Sequence, residues 1–324
     1  MSFVEEAIKF HAEKNGMLAV SCKVPLNNRD DLSLAYTPGV AEPCKAIKEN
    51  KELSFEYTCR GNTVAIVSDG TRVLGLGDIG PEAAMPVMEG KAVLFKTFGD
   101  VDAIPICIDT KDTEEIIETV RRLQPTFAGI NLEDFSSPKC YEIEDRLREI
   151  CDIPVFHDDQ HGTAIACLSA VIGALRYVKK DIKDVKVVVN GCGAAGSAIG
   201  RLLVSMGAKN VIMVERVGAL YKGIDAKLDK IQRHLSEVTN PNMEKGTLAD
   251  VAKGADVLLG VSGPNLFTKE IIASMADKAI VFGMANPVPE TTYADAIAAG
   301  AAVAAVSSAM MNGGKKSAKA RTKE

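Results

Sequence analysis

Short apolar runs alternate along most of the chain with longer stretches whose apolar positions recur at helical spacing. Val64 to Val67, closing on Ser68-Asp69-Gly70, predicts a strand and Ala83 to Lys91 a helix. Val93 to Lys96 and Ala103 to Ile108 predict strands, and Thr113 to Leu123 a helix with Ile116, Ile117, Val120 and Leu123 on one face. The alternation continues through Phe127–Leu132, Tyr141–Cys151 and Ile153–Phe156, and then an Ala-rich helix from Ala164 to Val178. A second series follows: strand Val185–Asn190, a helix to Met206-Gly207, strand Asn210–Val214, helix Thr247–Gly254, and strands Asp256–Val261, Ala279–Met284 and Ala301–Val306. Such alternation is the mark of parallel sheets, so the expected fold is α/β in two domains, over 1–162 and 163–306. Before the first strand, Phe3 to Asn15 carries a helical stripe (Val4, Ala7, Ile8, His11-Ala12) suited to association between subunits, and Leu34 to Pro43 reads as a turn-rich loop. Residues 307–324 have no apolar face and predict a disordered basic tail.

Composition narrows the class without naming it. A chain of 324 residues, 47% hydrophobic and 25% charged, can bury two cores and is ordinary for a soluble protein. Its net charge of −5 gives no reason to expect nucleic acid as a partner. The 8 cysteines form no C-x-x-C pair and several lie in apolar runs, which predicts reduced, mostly buried thiols. Met1 to Glu6 lacks a basic-then-apolar leader, and no stretch approaches ~18 uninterrupted apolar residues. The expectation is a cytoplasmic protein with no membrane contact.

Chemistry concentrates at strand ends. His157-Asp158-Asp159-Gln160-His161-Gly162-Thr163 follows the run Ile153–Phe156, and Glu133-Asp134 follows Phe127–Leu132. Open α/β sheets place ligands at the carboxyl ends of their strands, so four acidic groups could converge there. Carboxylates that close repel one another, and a divalent cation relieves this. All-oxygen ligands favour Mg²⁺ or Mn²⁺ over zinc. The alternatives are carboxylates that cap helices or face water, or a zinc pair from His157 and His161 if these share a helix face across the Gly162-Thr163 break. Lys91 is either a solvated charge or, desolvated beside a metal, a base near neutral pH. Tyr36 serves either packing or chemistry.

Strand Val185–Asn190 runs directly into Gly191-Cys192-Gly193-Ala194-Ala195-Gly196, which opens a helix, and the next strand ends in Glu215, 24 residues beyond Gly191. That context turns a weak G-x-G-x-x-G match into a dinucleotide site on a Rossmann-type doubly wound sheet, with the pyrophosphate at the helix N-terminus. Glu215 suits a ribose 2′-hydroxyl and opposes a 2′-phosphate, so NAD is expected over NADP, although Arg216 adjoins it. Ser262 and Asn286 follow later strands on the same side. The glycine-dense Leu74–Pro81 is no P-loop, because no G-K-[ST] closes it.

Taken together, Tyr36–Pro43, Asp69–Asp78, Glu89-Gly90-Lys91, Asn131–Asp134, His157–Thr163 and Ala285-Asn286-Pro287 resemble the corresponding stretches of the malic enzymes, in particular the short prokaryotic form. The likeness covers residues 15 to 305. It implies oxidative decarboxylation of L-malate to pyruvate and CO₂ with NAD(P)⁺ and Mg²⁺ or Mn²⁺, and activity on oxaloacetate. It further implies Glu133, Asp134 and Asp159 as metal ligands with Asp158 beside them, Lys91 as general base and Tyr36 as general acid. Arg72 and Asn286 would hold malate carboxylates. Gly191, Gly193, Ala194, Ala195, Gly196, Glu215, Arg216, Ser262, Asn286 and Thr163 would surround the dinucleotide in a homodimer. The family continues after Ala302-Val303 with an Asn-rich segment and a final helix, whereas here Val306–Met311 leads into the basic tail. That departure implies weakened turnover. Two other readings remain: another Rossmann dehydrogenase, acting on an amino acid or folate derivative, which has no use for four clustered carboxylates; and a catalytically weak nucleotide-binding relative.

Overall fold

The computed structural model describes residues 2–73, 75–286 and 288–307, so the expected basic tail, apart from Ser307, lies outside the described residues. The chain divides into two compact units, Met1–Phe156 and His157–Glu324.

In the first unit nothing before Thr63 is buried among the described residues. Helices α1 (Phe3–Lys14), α2 (Arg29–Ala35), α3 (Ala41–Glu49) and α4 (Leu53–Tyr57) all lie on the outside. The expected helix over 3–15 is α1, whereas α2, α3 and α4 are not anticipated, and the expected loop over 34–43 shrinks to the turn between α2 and α3. The core begins with β1 (Thr63–Ser68), followed by α5 (Pro81–Gly99), β2 (Asp102–Cys107), α6 (Thr113–Leu123), β3 (Gly129–Leu132), α7 (Lys139–Ile150) and β4 (Val155–His157). The sheet order is β2-β1-β3-β4, with β1 parallel to both β2 and β3. The strand expected at Val93–Lys96 is instead the later part of α5, which buries Ala84, Met88 and Ala92 at successive turns. A short apolar run fits a buried helix segment as well as a strand, and here the four-residue spacing wins.

The second unit opens with α8 (Asp158–Val178), which starts at Asp158 rather than at Ala164. Gly162 does not break the helix. It leaves room for the Asp158 carboxylate one turn earlier, whose Oδ1 lies 2.0 Å from where a Cβ on Gly162 would stand. The unit boundary therefore falls before the His157–Thr163 motif. By length and composition α8 is apolar enough to cross a membrane. Ala164, Cys167, Leu168, Val171, Ala174, Leu175 and Val178 instead pack it into the core of this unit.

The remaining elements are β5 (Lys186–Asn190), α9 (Ala194–Ser205), β6 (Asn210–Glu215), β7 (Gly218–Ala219), α10 (Lys230–Val238), α11 (Leu248–Ala252), β8 (Val257–Gly260), α12 (Lys269–Ala273), β9 (Ile280–Gly283), α13 (Tyr293–Ala298) and β10 (Val303–Val306). Their sheet runs β10-β9-β8-β5-β6-β7, parallel except for the β6–β7 pair. Alternate residues feed opposite faces. Val187, Val189, Met213, Leu259 and Phe282 join one apolar cluster with α8 and α9, while Val188, Ile212, Leu258 and Val281 join another with α11, α12 and α13. Helices therefore cover both faces, as expected of a doubly wound sheet. Chain order reverses between β5 and β8, and open sheets of this kind bind ligands at that switch point.

Candidate active site

Strand β3 ends one residue before Glu133 and Asp134, both almost wholly buried. Asp134 has a left-handed backbone (φ 58), uncommon for a residue other than glycine, and its carbonyl accepts a hydrogen bond from the Arg72 N–H at 2.9 Å. Lys91, on α5, brings Nζ to 3.0 Å from Glu133 Oε1, and the two side chains are 22% and 6% exposed. Asn131 Nδ2 donates to the other Glu133 oxygen at 2.9 Å. The first unit thus brings Lys91, Arg72, Glu133 and Asp134 together. A further network, not anticipated from sequence, braces them. Buried Asp69 accepts from the Thr71 hydroxyl (2.6 Å) and N–H (3.1 Å) and pairs with Lys139 at the start of α7, and Thr71 accepts from the Ser136 N–H at 3.0 Å.

Tyr36 is not gathered into this cluster. It ends α2, is 68% exposed, and among the described residues its hydroxyl makes no hydrogen bond.

In the second unit, Asp158 and Asp159 form the first turn of α8, where the helix dipole favours negative charge. His157 precedes the helix and its ring is fully buried. The Arg201 guanidinium, on α9, donates to Gln160 Oε1 at 3.3 Å, so the Gln160 NH₂ donates to His157 Nδ1 at 2.9 Å. Nε2 lies 3.2 Å from Asp159 Oδ2. The acidic group close enough to share an ion, Glu133, Asp134 and Asp159, includes neither His157 nor His161 among the described residues. Thr163 lies one turn further along α8.

The glycine loop behaves as its spacing predicts. Gly191 has φ 112, and a Cβ on Gly196 would stand 1.8 Å from the Gly191 carbonyl oxygen, so the turn closes only without side chains there. Gly193, Ala194, Ala195 and Gly196 lead into the free amides of α9. Glu215 Oε2 accepts from the Cys192 N–H at 3.1 Å, which fixes the acid at the mouth of the loop. A cavity of about 850 Å³ opens beside it, lined by Asn190, Glu215, Arg216, Lys227, Lys245 and Ser262 among others. Asn190 Nδ2 is buried and has no hydrogen-bond partner among the described residues, a donor waiting for a ligand. The loop, the acid and this orphaned donor fit a dinucleotide. Asn286 follows β9, and its Oδ1 accepts from the Ser307 hydroxyl at 2.7 Å. Sequence reasoning also passed over Glu290, which is fully buried and accepts from the N–H groups of Ser262 and Ala285.

Comparison with known proteins finds matches in both units. The family "Malic enzyme, N-terminal domain" matches residues 15–148, and "Malic enzyme, NAD binding domain" matches 160–318. A bifunctional malic/malolactic enzyme of Bacillus subtilis is 50% identical over 303 residues, spanning 94% of this chain and 74% of its own length. An NAD-dependent malic enzyme of Geobacillus stearothermophilus is 54% identical over 275 residues, 85% of this chain and 57% of its own length. Among solved structures, an NAD-dependent malic enzyme of Thermotoga maritima superimposes with a TM-score of 0.90 at 46% identity, over 93% of this chain and 80% of that one. Two matched domain families and relatives at this identity leave one assignment: the chain belongs to the malic enzyme family.

Proposed function

We propose that the chain oxidises L-malate to pyruvate and CO₂ with reduction of NAD⁺, using Mg²⁺ or Mn²⁺. The observation that carries the reading is the 3.0 Å pair of Lys91 with Glu133, a candidate base held against a candidate metal ligand in a largely buried corner. Glu133, Asp134 and Asp159 are the proposed ligands, with Asp158 next to Asp159 in the chain. Their donors are all carboxylate oxygens, the set that suits a hard divalent ion. Bound there, the cation would supply Lewis acidity toward the malate C2 oxygen, and the dinucleotide would accept the hydride.

The chain's own residues supply the rest. Lys91 takes the C2 hydroxyl proton. Arg72, its backbone anchored to Asp134, offers a planar fork to one malate carboxylate, and the Asn286 NH₂ donates to the substrate beside it. Tyr36 is the proposed acid for C3. In the single chain it stands exposed at the end of an outer helix. Phe3, Val4, Ile8, Leu18 and Val20 are exposed on the same N-terminal segment, an apolar face that self-association into a homodimer would cover. Light scattering on a size-exclusion column tests that state, and a monomer at assay concentration refutes it.

The functional test follows NADH formation from malate with Mg²⁺ or Mn²⁺, with and without EDTA, in wild type, Asp159→Asn and Lys91→Ala. Asp159→Asn should abolish metal-dependent turnover and leave NAD⁺ binding near the wild-type value. Lys91→Ala should lose malate oxidation while retaining more of its decarboxylation of supplied oxaloacetate, a step that follows proton abstraction. Wild type that makes no NADH from malate, or is indifferent to EDTA, refutes the reading.

A further inference from the structure

The last residues of β8 and β9, Gly260 and Gly283, stand side by side in register. A Cβ on Gly260 would lie 2.4 Å from Cδ of Glu290, and one on Gly283 3.4 Å from Glu290 Oε2. The two glycines thus frame a slot at the carboxyl edge of the sheet, and the fully buried Glu290 side chain fills it. Oε1 accepts from the backbone N–H of Ser262 at 2.9 Å, and Oε2 from that of Ala285 at 3.0 Å. Each donor lies two residues past the glycine of its own strand. From the other side, the carbonyls of Pro289 and Glu290 accept from the N–H groups of Asn265 and Phe267 at 3.1 and 3.0 Å. No Lys or Arg among the described residues pairs with the carboxyl group.

An acid in such a place costs folding free energy unless donors meet both oxygens, and an apolar side chain would fill the slot at lower cost. What the acid does that an apolar residue would not is tie two turns to one rigid group. One turn carries Ser262, on the wall of the dinucleotide cavity, and the other carries Asn286, whose Oδ1 accepts from the Ser307 hydroxyl. We propose that Glu290 is a positioning residue for the reaction, fixing the spacing between the turn that meets the dinucleotide and the turn that meets the malate carboxylate. This rests on the malic enzyme reading above. Hydride transfer depends on that spacing, because donor carbon and acceptor ring reach each other only when both are held in a near-attack geometry.

The test compares the full chain with Glu290→Gln and Glu290→Asp in the presence of Mn²⁺. Gln keeps the shape but turns one acceptor into an NH₂ donor facing a backbone N–H, so one turn is released. Asp keeps both acceptors on a side chain one methylene shorter. Glu290→Gln should lower kcat/KM for malate by about 10- to 100-fold, with a raised malate KM and a weaker NAD⁺ Kd. Its far-UV circular dichroism and Mn²⁺ affinity should match wild type, and Glu290→Asp should recover part of the loss. Unchanged malate KM and NAD⁺ Kd in Glu290→Gln overturn the proposal, including the case in which kcat falls only with the folded fraction. If Glu290→Gln does not fold, Glu290→Asp carries the same comparison. Wild type without malate-dependent NADH formation defeats the malic enzyme reading instead, and the NAD⁺ Kd of the variants then still decides whether Glu290 sets the Ser262 turn.

Discussion

Removing the Lys139 ammonium tests whether the Asp69 network holds the Arg72 turn in place. The Asp69 side chain is fully buried and that of Lys139 only 17% exposed, so Lys139→Met leaves a carboxylate whose strongest partner is gone. Breaking a buried pair from one side costs about 3 to 5 kcal/mol in general. Two features reduce that here. Asp69 keeps the Thr71 hydroxyl and N–H as donors, and water can reach the vacated lysine position, so the expected cost is about 2 to 3 kcal/mol. The double variant Asp69→Asn/Lys139→Met should regain much of this, because no buried charge is left unmatched. Denaturant unfolding followed by far-UV circular dichroism is the suitable assay, since the chain has no tryptophan to report by fluorescence. The loss should appear in one transition, that of the first unit. Because Thr71 also accepts from Ser136 and Arg72 is the next residue, the single variant should raise the malate KM while leaving the NAD⁺ Kd unchanged. A Lys139→Met protein within about 0.5 kcal/mol of wild type and with an unaltered KM would show that Asp69 is adequately held without its partner. A double variant no better than the single would refute the electrostatic origin of the loss.

Glu215→Ala should move cofactor preference toward NADP⁺ by about tenfold in the kcat/KM ratio, some 1.4 kcal/mol, because the acid leaves while Arg216, Lys227 and Lys245 remain on the cavity wall. A ratio that does not move would place the selectivity elsewhere. Thiol reactivity should split by burial. Cys22, Cys44 and Cys59 are exposed and should react quickly with an aromatic disulfide reagent at mildly alkaline pH. Burial pushes the Cys167 thiol up to about 12 and that of Cys192 higher still, so both stay protonated there and should react only after denaturation. Rapid labelling of Cys192 in the native protein would mean that the glycine loop opens far more readily than its packing implies.

What the sequence reveals and what it hides divide along physical lines. The dinucleotide loop is legible because its determinants are local: strand, glycine turn, helix and the following acid lie within one short stretch, and each residue's role is set by its neighbours in sequence. The carboxylate pairs at 133–134 and 158–159 are legible for the same reason, since each directly follows a strand. Val93–Lys96 is misread because a short apolar run has no period of its own, and only the turn-by-turn burial of Ala84, Met88 and Ala92 shows it to be helix. Of the helices before Thr63 only α1 is anticipated; α2 and α4, of 7 and 5 residues, are too short to show a helical repeat, and α3 begins inside the turn-rich stretch 34–43. Lys139 and Asp69 are 70 residues apart, and no pattern in either neighbourhood announces the pair. Glu290 is the clearest case. Gly260 and Gly283 each look like an ordinary end to a strand, and only strand register sets them side by side and makes a slot. The residue that fills the slot then tells its meaning through two backbone amides that carry no sequence signature at all. A function read from motifs therefore nominates groups to touch ligands and passes over the buried groups packed behind them, and for this chain the second kind are Asp69, Gln160 and Glu290.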